Sequence, residues 1–151
     1  MNKDNIILER TEGKYLIKVY TEIDECPDLS YLGAYSKTPA TVHIDRQERG
    51  DMERGEYRYF NVGCGEPDYI EQDYARAEAY NRGDWYTLTV CCEIAIKTNA
   101  QWAIPTVVGR AYLSGVESDS GDEYLQEVAK GLIAEAKADL KTLREELCGT
   151  R

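Results

Sequence analysis

Polar and apolar residues first alternate near the start of the chain. Ile6, Ile7 and Leu8, then Tyr15 to Thr21, are two β-rich runs separated by Thr11-Glu12-Gly13-Lys14. That spacing predicts a hairpin turned at Glu12-Gly13. In the second run Tyr15, Ile17 and Val19 share one side, assigned to the core, and Leu16, Lys18 and Tyr20 form a mixed side. Pro27, Gly33 and Pro39 then interrupt the pattern, so residues 24–40 are expected to be irregular and pinned by Leu29, Tyr31 and Leu32. A short strand around Val42 to Ile44 follows, then a polar loop through Gly50 and Gly55. The next strand, in Tyr57–Gly63, places Tyr57 and Tyr59 opposite Arg58 and Phe60.

The period changes after Gly65. Ile70, Tyr74 and Ala77 recur at helical spacing, with Tyr69 and Tyr80 beside them. Pro67 suits a first helical turn, Glu66 and Asp68 complement the positive end of the helix dipole, and Gly83 marks the stop. Asp73 with Arg76, and Glu78 with Arg82, are spaced for surface pairs of about 0.2–0.5 kcal/mol each. Two β-rich runs, Trp85–Thr98 and Trp102–Val116, flank Asn99-Ala100-Gln101 and predict a central antiparallel hairpin, weakened near Pro105. Finally Leu125, Val128, Leu132, Ala136, Leu140, Leu143 and Leu147 make the apolar stripe of a helix ended at Gly149. Such a helix reaches roughly 35–40 Å and is expected to lie across the sheet. The expected fold is one α+β domain over residues 1–151. It has an antiparallel sheet of about five to six strands, a medium helix and a long C-terminal helix.

Composition narrows the function. The chain has 151 residues, a net charge of −10, and 12 Tyr against 1 Phe. That charge argues against a nonspecific grip on nucleic acid or an anionic membrane, and favours a basic partner. The apolar run at residues 6–8 is too short for a secretory leader, and no stretch is long enough to span a bilayer, so the expected location is cytoplasmic. Five cysteines without a C-x-x-C spacing predict reduced thiols, with neither zinc nor another cofactor. Cys91 and Cys92 adjoin in a strand and should face opposite sides.

Between Ser114 and Val128 lie Glu117, Asp119, Asp122, Glu123 and Glu127, with no Lys or Arg. Ser120-Gly121-Asp122-Glu123 has the form of a capping box at a helix start. A calcium loop fits poorly: with Gly121 in the glycine position, Val116 would stand where the first oxygen ligand belongs. Lined-up carboxylates could also imitate nucleic-acid phosphates, together with Glu22, Asp24, Glu25 and Asp28 and with Glu66, Asp68, Glu71 and Asp73.

Candidate catalysts are few. His43 is the one histidine, and Asp45 two residues on would share its side of a strand. Cys64, between glycines before a helix, is a conceivable nucleophile partner for it. Carboxylates and arginines between His43 and Tyr59 could make a phosphodiester site together with a metal, although such alternation more often marks a solvated loop. No phosphate-loop or redox-cofactor spacing is present.

Two segments carry a resemblance. Asp73, Tyr74, Arg76, Glu78, Tyr80, Gly83, Asp84 and Trp85, followed after a strand by Gly115, Glu117, Ser118, Asp119 and Ser120, resemble motifs in a group of small proteins encoded by bacteriophages, prophages and plasmids. The likeness covers the middle to the C-terminal third. It implies a setting rather than an activity: small acidic proteins of mobile elements often bind and inhibit host defence factors, as anti-CRISPR and anti-restriction proteins do. The leading expectation is thus a non-enzymatic inhibitor gripping a basic host protein or nucleoprotein through Glu117, Asp119, Asp122, Glu123 and Tyr124. The rivals are a small hydrolase or nucleic-acid-processing enzyme using His43, Asp45 and Cys64 or a metal held by the carboxylates, and a structural or regulatory phage protein forming a homodimer through its long helix.

Overall fold

The computed structural model describes residues 5–64, 66–96 and 106–148, with side chains as far as 145. In chain order the elements are β1 (Ile6–Glu12), β2 (Tyr15–Ile23), β3 (Gly33–Ser36), β4 (His43–Asp45), α1 (Arg46–Arg49), β5 (Tyr59–Val62), α2 (Ile70–Asn81, led in by a 3-10 turn at Pro67–Tyr69), β6 (Thr87–Ile96), β7 (Thr106–Glu117) and α3 (Asp122–Cys148). The class is α+β, with a medium helix and a long C-terminal one. The strands fall into a four-stranded and a three-stranded sheet, and the chain divides into two units, Met1–Glu25 with Tyr86–Arg151 and Cys26–Trp85.

The larger unit is an antiparallel sheet in the order β1-β2-β6-β7. Its first hairpin turns at Gly13-Lys14, one residue later than expected, with Glu12 opposite Tyr15 and Gly13 at φ 59°. Glycine takes that left-handed conformation without a Cβ penalty. Ile17 and Val19 stand beside Ile94 and Cys92 in register, and all four are buried, as the alternation required. Ala111 and Val116 of β7 extend this surface, and Ala129, Leu132, Ile133 and Ala136 of α3 cover it. Each Ile or Leu removed from water in this way contributes about 1.5–3 kcal/mol. Small residues set the closeness of the helix: a Cβ on Gly109 would stand 2.9 Å from the Ala136 carbonyl oxygen. Leu143 is 40% exposed, so the outer part of the leucine stripe is not covered. The expected central hairpin places only β6 inside the sheet; β7 is an edge strand. Asn99–Gln101, Trp102, Pro105, Gly149 and the side chain of Leu147 lie outside the described residues.

The smaller unit carries a sheet in the order β3-β5-β4. Phe60 is fully buried at its centre, with the rings of Tyr35 and Tyr74 each 5.2 Å away, and Leu32, Ile44, Ala77 and Trp85 complete the core. Tyr74 and Ala77 face inward from α2 as their spacing predicted. Two expectations need correction. Residues 24–40 are not wholly irregular, because Gly33–Ser36 pairs with Val62–Tyr59 as β3. Nor is the polar stretch after Asp45 all loop: Asp45 accepts from the amides of Gln47 and Glu48, Gly50 closes the turn at φ 74°, and α1 forms between them. Glu78 engages Arg46, and Arg82 pairs with Asp84 at 3.1 Å.

Candidate functional site

Four strand ends meet at one end of the larger sheet: the start of β1, the end of β2, the start of β6 and the end of β7. Ile23 lies opposite Leu88, and Thr87 opposite Glu117. The Asp24 amide donates to the Thr87 carbonyl at 2.9 Å. Ser118 and Tyr86 are tied twice: the Ser118 amide donates to the Tyr86 carbonyl at 2.8 Å, and the Tyr86 amide donates to the Ser118 hydroxyl oxygen at 3.0 Å. The turn after β7 then leads directly into α3. Glu22, Glu25, Asp119, Asp122, Glu123 and Glu127 are exposed here, with Asp24 and Glu117 half-buried. Residues 5–8, 20–25, 86–90 and 113–127, which build this end, include no Lys or Arg. Bases gather at the other end, where Lys137 meets Glu12 at 2.8 Å and Arg10 meets Glu12 at 3.0 Å. Lys14 sits in the hairpin turn itself.

The acidic end is also apolar. Ile23 is 64% exposed, Tyr86 47% and Tyr124 45%. A cavity of about 500 Å³ opens among the ends of β1, β2 and β6 and the first turns of α3. All five residues assigned to partner binding from the sequence, Glu117, Asp119, Asp122, Glu123 and Tyr124, lie in this region. Glu22 was named only among the carboxylates that could join in phosphate imitation, and Ile23 and Tyr86 were not assigned; strand register brings all three there.

Asp122 and Glu123 occupy the first turn of α3, but the capping box does not form. The Ser120 hydroxyl donates to the Glu117 carbonyl at 2.7 Å and closes the preceding turn. The Leu125 amide donates to the Gly121 carbonyl, so the cap position is Gly121, one residue past the serine.

The catalytic candidates do not assemble. His43 Nδ1 lies 2.7 Å from the Ala40 carbonyl oxygen, and its ring meets the edge of Tyr59. The Asp45 carboxylate accepts from Arg58 at 3.0 and 2.8 Å, and that guanidinium holds it below the usual carboxylate range. Cys64 borders a separate hollow with Tyr31, Glu66, Tyr69, Gln72 and Asp73. Among the described residues no group of three His, Cys, Asp or Glu is placed to hold a metal. Cys26, Cys64, Cys91 and Cys92 are thiols, and burial pushes Cys92 up to about 11, which makes it a poor nucleophile at neutral pH. Of the other acidic groups, Glu71 pairs with Arg49 and Asp28 accepts from the Ser30 amide at 3.0 Å.

Sequence reasoning placed Arg46 only within a charged stretch read as a solvated loop or a phosphodiester site, whereas it is the charged hub of the smaller unit. Its side chain is 6% exposed. It donates to Glu56 at 2.7 Å, to the Tyr57 carbonyl at 2.8 Å and to the Tyr74 hydroxyl at 3.3 Å. Glu78 lies 3.4 Å away, and the Tyr35 ring centre is 4.9 Å from the guanidinium carbon. Tyr35 in turn donates to Glu78 at 2.6 Å. These partners satisfy the guanidinium and mark it as a structural post.

No family model matches this chain, and neither the curated proteins nor the solved structures yield a match. No helix among the described residues is long and apolar enough to cross a membrane.

Proposed function

We propose that this is a non-enzymatic interaction protein of phage or other mobile-element origin, acting in the host cytoplasm. It would inhibit a basic, nucleic-acid-handling defence factor of the CRISPR or restriction type. The observation that carries the reading is the end of the larger sheet, where exposed Ile23, Tyr86 and Tyr124 stand among Glu22, Glu25, Asp122 and Glu123. Aromatic and aliphatic anchors provide contact energy, while carboxylates steer a cationic partner and raise its rate of encounter. The motif resemblance supplies the biological setting. Phosphate imitation follows naturally, because a partner surface that binds nucleic acid already carries the complementary charge.

The test is capture of purified host defence complexes at low and high salt, using the native chain and a Glu22→Lys/Glu123→Lys variant. The reading expects an association rate that falls at least about tenfold in the variant and declines steeply with salt. Equal capture by both proteins at both salt levels would overturn it.

A further inference from the structure

The cavity at the acidic end has walls of two kinds. Ile6, Ile7, Leu88 and Leu125 are among its aliphatic residues, Tyr86 is its aromatic one, four neutral polar residues share the lining, and Asp122 is the one charged residue there among the described residues. At about 500 Å³ it lies within the size range of small-ligand sites. Its chemistry excludes several occupants. A wholly apolar group would cover Asn5, Thr21, Ser118, Gln126 and the Asp122 carboxylate without offering them a polar partner, which is costly. An anion would meet Asp122 and, outside the cavity, Glu22 and Glu123. A calcium ion needs six or more oxygen ligands, and one carboxylate with a few neutral oxygens is a poor cage.

A long cation with an aliphatic stem fits both walls. Lys and Arg lay their methylenes along apolar surface while the charged head seeks a polar partner. Between them the ring and the carboxylate select Arg. A guanidinium stacks on an aromatic face, sheds water more readily than an ammonium, and pairs with a carboxylate through two parallel hydrogen bonds. The start of α3 opposes any cation with about half a positive charge, but Asp122 and Glu123 each bring a full negative one to the same turn. The double tie between Tyr86 and Ser118 fixes the ring's backbone before binding, which lowers the ordering cost.

We propose that this cavity is a socket for one arginine side chain of the basic partner, with its guanidinium on Asp122 and Tyr86 and its stem against the aliphatic wall. The inference rests on the docking function above and gives it a specific anchor.

The probes are fluorescein-labelled oligo-arginine, oligo-lysine and oligo-citrulline peptides of equal length, followed by anisotropy. Citrulline keeps the shape of arginine without its charge. Native protein is expected to bind the arginine peptide about tenfold more tightly than the lysine peptide, and the citrulline peptide not at all. Asp122→Asn, and separately Thr21→Trp, which fills the cavity without changing surface charge, should each remove the arginine preference. Thermal melts confirm that both variants are folded. Glu22→Lys/Glu123→Lys should weaken both cationic peptides alike and leave the preference intact. Equal arginine and lysine binding by native protein, unchanged in Asp122→Asn and Thr21→Trp yet lost in the charge-reversed variant, overturns the socket and leaves the acidic surface standing. Failure of native protein to bind either cationic peptide overturns both.

Discussion

Arg46→Met is expected to destabilise the smaller unit by at least about 2 kcal/mol, because several partly buried partners, each costing about 1–3 kcal/mol when left unsatisfied, lose their donor together. The magnitude follows from what is left behind. Glu78, the Tyr74 hydroxyl and the Tyr57 carbonyl would each lose a donor, and the Tyr35 ring would lose the cation over its face. Methionine fills part of the space but supplies no hydrogen bond. Arg46→Lys is expected to recover little, because an ammonium lacks the planar fork that reaches Glu56, Tyr57 and Tyr74 together. Urea unfolding followed by Trp85, which is 2% exposed within this unit, reads the loss in a Trp102→Phe background. A change below about 1 kcal/mol, the size of an exposed pair, would show that the network is decorative.

The next largest effect belongs to Gly63→Ala. A Cβ there would stand 2.5 Å from the Ser30 carbonyl oxygen, 2.6 Å from that of Tyr31 and 2.8 Å from the Gly33 amide nitrogen. All three are backbone atoms, so no rotamer change relieves the collision. The segment before β3 must move away from the end of β5, at a cost of about 1–3 kcal/mol or more. Gly83→Ala is the contrast. Its Cβ would meet nothing within 4 Å, and the only cost is φ of 81°, worth about 1–2 kcal/mol. The same unfolding measurement should rank Gly63→Ala as the more damaging, and the reverse order would mean that the close approach is readily relaxed.

Periodicity made much of this architecture legible. Ile17 and Val19 alternate inward as their spacing requires, Tyr74 and Ala77 share the buried face of α2, and α3 buries Leu132 and Ala136. What escaped the sequence was made by pairing rather than pattern. Four residues of β3 carry too little alternation to announce a strand, and Val62–Tyr59 defines it. One turn of α1 exists because Asp45 and Gly50 close its two ends. Ser120 has the right neighbours for a capping box, yet it sits one residue early and closes a turn instead. The candidate site was half legible. Its carboxylates are contiguous from Glu117 to Glu127, whereas Glu22, Ile23 and Tyr86 come from distant segments that only the register of β2, β6 and β7 unites. Arg46 gave no signal, because an arginine in a charged stretch resembles any solvated one until Tyr35, Glu56, Tyr74 and Glu78 surround it.

The central claim is that partners bind where the last helix begins. Amide shift perturbation in the isotopically labelled protein, titrated with the captured basic partner, examines it most directly. The account predicts changes concentrated in residues 20–25, 86–90 and 117–127, fading as salt is raised. Changes confined to residues 26–85, or to the Gly13 turn and the basic end beside Lys137, would contradict it.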